Sequence, residues 1–173
     1  TVVKMLRLPP AIRPTITEEE VKMTILQAAE AGVVKEVEQD MMIGVLRLGD
    51  LMARDLMTPR HEMVALKEGD PVTTHWHKIN ASGHSYFPVV SKARGEIIGV
   101  TSIKPLVARQ IAGEAVDPLK TMTSPFYVPE TLSALKALEK MKFAKSHIAL
   151  VLNEHGAVEG LLTVNDLLEA VVG

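Results

Sequence analysis

Gly160-Leu-Leu-Thr163-Val-Asn-Asp166-Leu-Leu168 is an apolar run that stops at a hydroxyl and, three residues later, meets a carboxylate. A short buried strand over 158–162, a helix N-cap at Thr163 and a first helical turn holding Asp166 account for that order. The N–H groups of such a turn are unpaired and point outward, so together with the Thr163 hydroxyl they can hold a phosphate. A neighbouring carboxylate can accept the hydroxyls of a ribose, as acidic residues do at other nucleotide sites. Thr-x-x-Asp is also an ordinary capping pattern, and by itself it does not separate the two uses.

A second copy does more. Ile97-Ile-Gly99-Val-Thr-Ser102-Ile-Lys-Pro105-Leu106 lies on Val158-Glu-Gly160-Leu-Leu-Thr163-Val-Asn-Asp166-Leu167 at an offset of 61 residues. Upstream, Phe87-Pro-Val-Val90 falls on Ile148-Ala-Leu-Val151 at the same offset. A repeat of this length exceeds solenoid units and predicts two small domains packed together. The second copy has Asp166 where the first has Pro105, so only one of two related sites keeps its carboxylate.

Composition narrows the class. A chain of 173 residues with 47% hydrophobic content supports one domain or an intimate pair of small ones. Aromatic residues make up only 3%, so Val, Ile, Leu, Ala and Met fill the core. A net charge of −2 without a basic run argues against a nucleic-acid surface, which needs clustered Lys and Arg. With no cysteine there are no disulfides and no thiolate metal site. No apolar stretch is long enough to cross a membrane as a helix, and the start at Thr1 suggests a piece of a longer chain.

Along the chain, residues 1–16 read as a basic, proline-containing linker. Residues 17–50 read as an acidic two-helix leader. Thr17-Glu-Glu-Glu20 is a capping box, Val21, Ile25 and Ala28 form a thin stripe, and Gly32 can end the first helix. Val34, Val37, Met41, Val45 and Leu48, three or four apart, predict the buried face of the second. From residue 51 the order strand, helix, strand, strand, helix occurs twice. The first copy has strands over 63–66, 84–90 and 96–101 and helices over 70–81 and 102–111. The second has strands over 126–128, 148–152 and 158–162 and helices over 130–141 and 164–171. This is an α+β pattern, with units over 51–112 and 113–173.

Met57-Thr-Pro-Arg60, His84-Ser-Tyr-Phe-Pro-Val89, Phe126-Tyr-Val-Pro-Glu-Thr131, Ser146-His-Ile-Ala-Leu-Val151, Asn153-Glu-His-Gly156 and Gly160 to Leu168 occur in one order. With them the chain resembles a tandem pair of cystathionine-β-synthase (CBS) domains of the CorC, cyclin-M and hemolysin-like membrane protein family. The resemblance covers residues 17–173, leader included. It implies a pair with pseudo-two-fold symmetry that forms a disc-like homodimer. It also implies a parent protein with a membrane domain, linked to magnesium or cobalt efflux, which would place this soluble piece at the cytoplasmic face of the inner (plasma) membrane.

The resemblance further implies an adenosine nucleotide, AMP or ATP, with Mg²⁺ as a possible companion, held in a cleft between the repeats. Carried over by position, Thr58, His84, Ser85, Tyr86, Phe87 and Pro88 of the first repeat would meet Thr163 and Asp166 of the second. Asp166 would bind the ribose and Thr163 and Ser85 the phosphates, while Val64, Phe87 and Pro88 would wall the adenine. Relatives commonly carry Arg where Tyr86 stands. A tyrosine donates one neutral hydrogen bond, which favours AMP or adenosine over polyphosphate, with Arg60, Lys145 or His84 as other sources of charge. The related cleft at Ser102 and Pro105 is expected to be empty or weak.

Other uses have less support. His75-Trp-His77 sits in an expected helix, where i, i+2 residues face different ways, so it is not a metal pair. His147 and His155 are scattered and read as strand-edge or turn residues. No nucleophile and base pair, metal-ligand set or glycine-rich phosphate loop points to an enzyme. The alternative to a regulatory sensor is a structural dimerisation module with a vestigial cleft.

Overall fold

The computed structural model describes residues 16–173. Two helices lead, α1 (Glu18–Glu30) and α2 (Glu36–Asp50). The capping box at Thr17 closes as the sequence predicts, with Glu20 N donating to Thr17 Oγ1 and Thr17 N to Glu20 Oε2. There follow α3 (Ala53–Leu56), β1 (Thr58–Pro59), a 3-10 turn (Arg60–Glu62), β2 (Leu66–Lys67) and α4 (Val72–Ser82). The first repeat closes with β3 (Tyr86–Val90), β4 (Ile97–Ser102) and α5 (Ile103–Ile111). After α6 (Pro118–Thr121), the second runs β5 (Tyr127–Pro129), α7 (Ala134–Phe143), β6 (Ile148–Leu152), β7 (Val158–Thr163) and α8 (Val164–Val172).

Two mixed sheets result, β2-β3-β4 and β1-β7-β6-β5. In each a short strand pairs parallel with the middle strand, which pairs antiparallel with the next. Each repeat sends its leading Met-Thr across the other's sheet. Thr58 pairs with Leu161 on β7, and Thr123 bridges Val100 on β4. Glycines make both crossings possible: a Cβ on Gly160 would lie 2.5 Å from Thr58 O, and one on Gly99 2.6 Å from Met122 Sδ.

The register corrects one expectation. Phe87 lies opposite Thr101, and its counterpart opposite Leu162 is Ala149, not Ile148. The connection from β3 to β4 is one residue longer than that from β6 to β7, so the offset is 62 before the turn and 61 after it. Element bounds shift as well. The strand expected over 63–66 reduces to Leu66–Lys67, because residues 63–65 leave the 3-10 turn as an irregular segment without strand pairing. The helix expected over 130–141 starts at Ala134, since Leu132 N turns back to Pro129 O and Ala134 N is held by Leu51 O.

Each repeat has its own core, Leu66, Ile79, Phe87, Leu106 and Val116 in the first and Val128, Ala137, Met141, Ala149, Val151, Leu162 and Leu167 in the second. Leu48 of α2 belongs to the second, so the leader packs against α7 and α8. The buried face of α2 agrees with the stripe the spacing suggests only at Leu48. Val37, Met41 and Val45 are 63%, 41% and 47% exposed, while Gly44 and Leu48 are buried. Gly44 lies against the Val171 carbonyl, a contact that leaves no room for a side chain. His75 is buried in α4 with Nε2 at 3.0 Å from Lys67 O, a core role in keeping with its helical setting.

Candidate functional site

The strand crossings leave a cavity of about 520 Å³ between the repeats, within the usual range for small-molecule sites. β1 brings Thr58 to it, and the segment after the 3-10 turn brings Val64. The entry to β3 contributes His84, Ser85, Tyr86 and Pro88, and the start of α8 contributes Thr163 and Asp166. Phe87 does not take part, which corrects its assignment as an adenine wall. It stands between Tyr86 and Pro88, and strand alternation turns it to the opposite face, where it is fully buried in the first core.

Thr163 and Asp166 form a closed capping box. Thr163 N donates to Asp166 Oδ2 at 2.7 Å, and Asp166 N donates to Thr163 Oγ1 at 3.2 Å. Holding the helix start therefore uses one carboxylate oxygen and leaves Oδ1 and the Thr163 hydroxyl proton for another partner. Val164 N donates to His147 O at 3.1 Å, tying the helix to the entry of β6. Asn165, also on the wall, has no partner for its N–H among the described residues.

His147 joins the cavity wall although sequence reasoning did not place it there. It lines the cavity, and its ring stacks on Tyr86 with centroids 6.0 Å apart and 23° between the planes. Its signal was its place immediately before a buried strand, where Ser85 stands in the first repeat. Glu62 and Glu169 also line the cavity unforeseen. Of the three charge sources weighed in place of an arginine, only His84 reaches the wall. Arg60 turns away and donates to Val158 O at 3.1 Å, and Lys145 is not on the wall.

The related position in the first repeat is built differently. Ser102 caps α5 without a side-chain hydrogen bond, and Pro105 replaces the carboxylate, so no capping box forms there. Among the described residues no group of three His, Cys, Asp or Glu side chains is arranged to hold a metal ion.

Two small mixed sheets whose leading segments cross onto one another, each followed by a helix, with the second helix capped at the cleft between them, define a CBS-domain module. The CBS-domain family model matches residues 115–173. The structure of the CBS domain of the bacterial CNNM/CorC family Mg²⁺ transporter aligns with a TM-score of 0.76 and 30% identity, covering 91% of this chain and 97% of that one. A structure of that family's CBS domain in complex with ATP aligns with a TM-score of 0.67 and 30% identity, over 79% of this chain and 97% of that one. The magnesium and cobalt efflux protein CorC of Salmonella typhimurium is 31% identical over 156 residues, 90% of this chain and 53% of the relative. This chain belongs to the CBS domains of the CNNM/CorC family. It spans about half or less of the length of the curated relatives it matches, and among the described residues no helix is long and apolar enough to cross a membrane.

Proposed function

We propose that this chain is a regulatory, non-catalytic module that senses an adenosine nucleotide in the cleft between its two repeats, residues 51–112 and 113–173. The observation that carries the reading is the convergence of Thr58, Tyr86, Thr163 and Asp166 from both repeats on one cavity, with Asp166 Oδ1 left open. Asp166 accepts the ribose hydroxyls, the Thr163 hydroxyl, Ser85 and Asn165 N–H face the phosphate, and Val64 and Pro88 wall the base. The complex of the family's CBS domain with ATP supports an adenine ligand. Mg²⁺ would arrive with a polyphosphate rather than in a protein cage.

A ligand shifts a conformational equilibrium only by binding two states unequally. Here α8 joins cleft and leader: its first turn forms the cleft wall, and its last turn lies against Gly44 of α2. Over nine residues, about 13 Å of helix, a change of angle at the ligand reaches the leader as a rigid tilt. In the parent protein the leader would pass this to a membrane domain linked to magnesium and cobalt efflux, at the cytoplasmic face of the inner membrane. The pair works as a homodimer, with exposed Val107 and Ile111 on α5 and Leu168 and Val172 on α8 as apolar surface for the contact. The reading includes no nucleic acid.

Calorimetric titration with AMP, ADP and ATP, each with and without Mg²⁺, tests the reading. Saturable binding of one ligand per chain, lost in Asp166→Ala, is the expected result. No heat and no thermal shift with any of the three would overturn it and leave a dimerisation module.

A further inference from the structure

The cleft has an unusual charge balance for a site that receives a phosphate. Glu62 from the 3-10 turn and Asp166 and Glu169 from α8 put three carboxylates on its wall, and no Lys or Arg of the described residues joins them. The groups that can become cationic are two imidazoles from different repeats, His84 before β3 and His147 before β6. Tyr86, stacked on His147, is the remaining titratable group and adds no positive charge.

We propose that His84 and His147 are the phosphate-recognising and specificity-determining residues of this cleft, and that they act in the protonated form. A neutral imidazole offers one N–H and no charge, too little to offset three carboxylates facing an incoming phosphate dianion. An imidazolium donates from both nitrogens and makes charge-assisted hydrogen bonds. Imidazole is also the side chain whose charge changes between pH 5 and 8, so phosphate recognition here is linked to proton uptake. Adenosine, which lacks the phosphate, escapes the linkage. This inference rests on the nucleotide reading and adds to it a dependence on pH and a ranking of ligands.

The test is titration of the intact chain with AMP and with adenosine at pH 6 and pH 8, repeated on the His84→Gln/His147→Gln double variant. From pH 6 to 8 the AMP affinity of the unaltered chain is expected to fall at least about tenfold while adenosine affinity holds, the difference reporting linked protons. The AMP phosphate itself ionises near pH 6, so the variant separates the two sources of slope. It is expected to lose most of the fall, with its thermal midpoint confirming that it remains folded. A flat AMP profile in the unaltered chain, or the same slope in the variant, would overturn the assignment. Absence of adenosine and AMP binding at both pH values would instead overturn the nucleotide reading itself.

Discussion

Tyr86 of the first sheet stacks on His147, the residue just before β6, with ring centroids 6.0 Å apart. Inserting a planar base between two rings needs about 7 Å, twice a carbon contact distance, so in the proposed reading the nucleotide lies beside this pair instead of within it. The phenol lines the cavity at the position where the family resemblance implies a guanidinium, which in the proposed reading would meet the phosphates.

Tyr86→Arg should therefore raise ATP affinity by about tenfold or more and AMP affinity less, because a planar cation adds bidentate, charge-assisted bonds that grow with phosphate charge. Titration calorimetry at low and high salt checks it. Equal gains for adenosine and ATP would show that the arginine acts through packing and not through phosphate.

Asp166 holds the helix start with Oδ2, and in the proposed reading it meets the ligand with Oδ1. Asp166→Asn keeps an oxygen for Thr163 N, so the unfolding free energy should change by less than about 0.5 kcal/mol. AMP affinity should fall about tenfold, near 1.4 kcal/mol, because the charged acceptor of the ribose hydroxyls is gone. Asp166→Ala should lose the affinity and also about 1 kcal/mol of stability, since the capping box opens. Chemical denaturation and titration on both variants separate the two roles. An Asn variant that binds as well as the unaltered chain would remove Asp166 from the ribose.

Much of this arrangement was legible in the sequence because strand and helix starts carry local signals. The repeated strand-to-helix run at Gly99 and Gly160 gave the two-fold repeat, and the capping pattern at Thr163 marked the cavity wall. Phe87 was misplaced because an apolar residue between two site residues looks like a third, although alternation along a strand sends it to the core. The one-residue error in the first part of the repeat came from the loop between β3 and β4, where an extra residue leaves no trace in the strands themselves. His147, Glu62 and Glu169 converge on the cleft from segments far apart in the chain, and only the exchange of strands between repeats makes them neighbours.

The second leader helix shows a related failure. Spacing selected Val34, Val37, Met41, Val45 and Leu48, and of these Leu48 alone is buried, because close packing against α8 favours the face that carries the smallest residue, Gly44. Val37→Lys and Val45→Lys should each change stability by less than about 0.5 kcal/mol. Leu48→Ala, which empties a buried site in the second core, should cost about 2–5 kcal/mol. Urea unfolding of the three variants decides between the faces. A large loss from either lysine would restore the stripe read from spacing.

The two crossing glycines provide a last contrast, because pseudo-symmetric positions meet different atoms. A Cβ on Gly160 encounters a backbone oxygen, Thr58 O, as well as the Met57 side chain, and the backbone oxygen cannot retreat without moving β1. On Gly99 the atoms met are Sδ, Cγ and Cβ of Met122; the first two can yield by a change of rotamer, and no backbone oxygen is among them. Gly160→Ala should cost about 1–3 kcal/mol of stability, as overpacked sites do, and Gly99→Ala less. Since β1 carries Thr58 into the cleft, Gly160→Ala should also weaken AMP binding under conditions where the variant is fully folded, while Gly99→Ala leaves it within about twofold. Equal losses of affinity in both variants would mean that the cleft responds to general loosening of the pair and not to the position of Thr58.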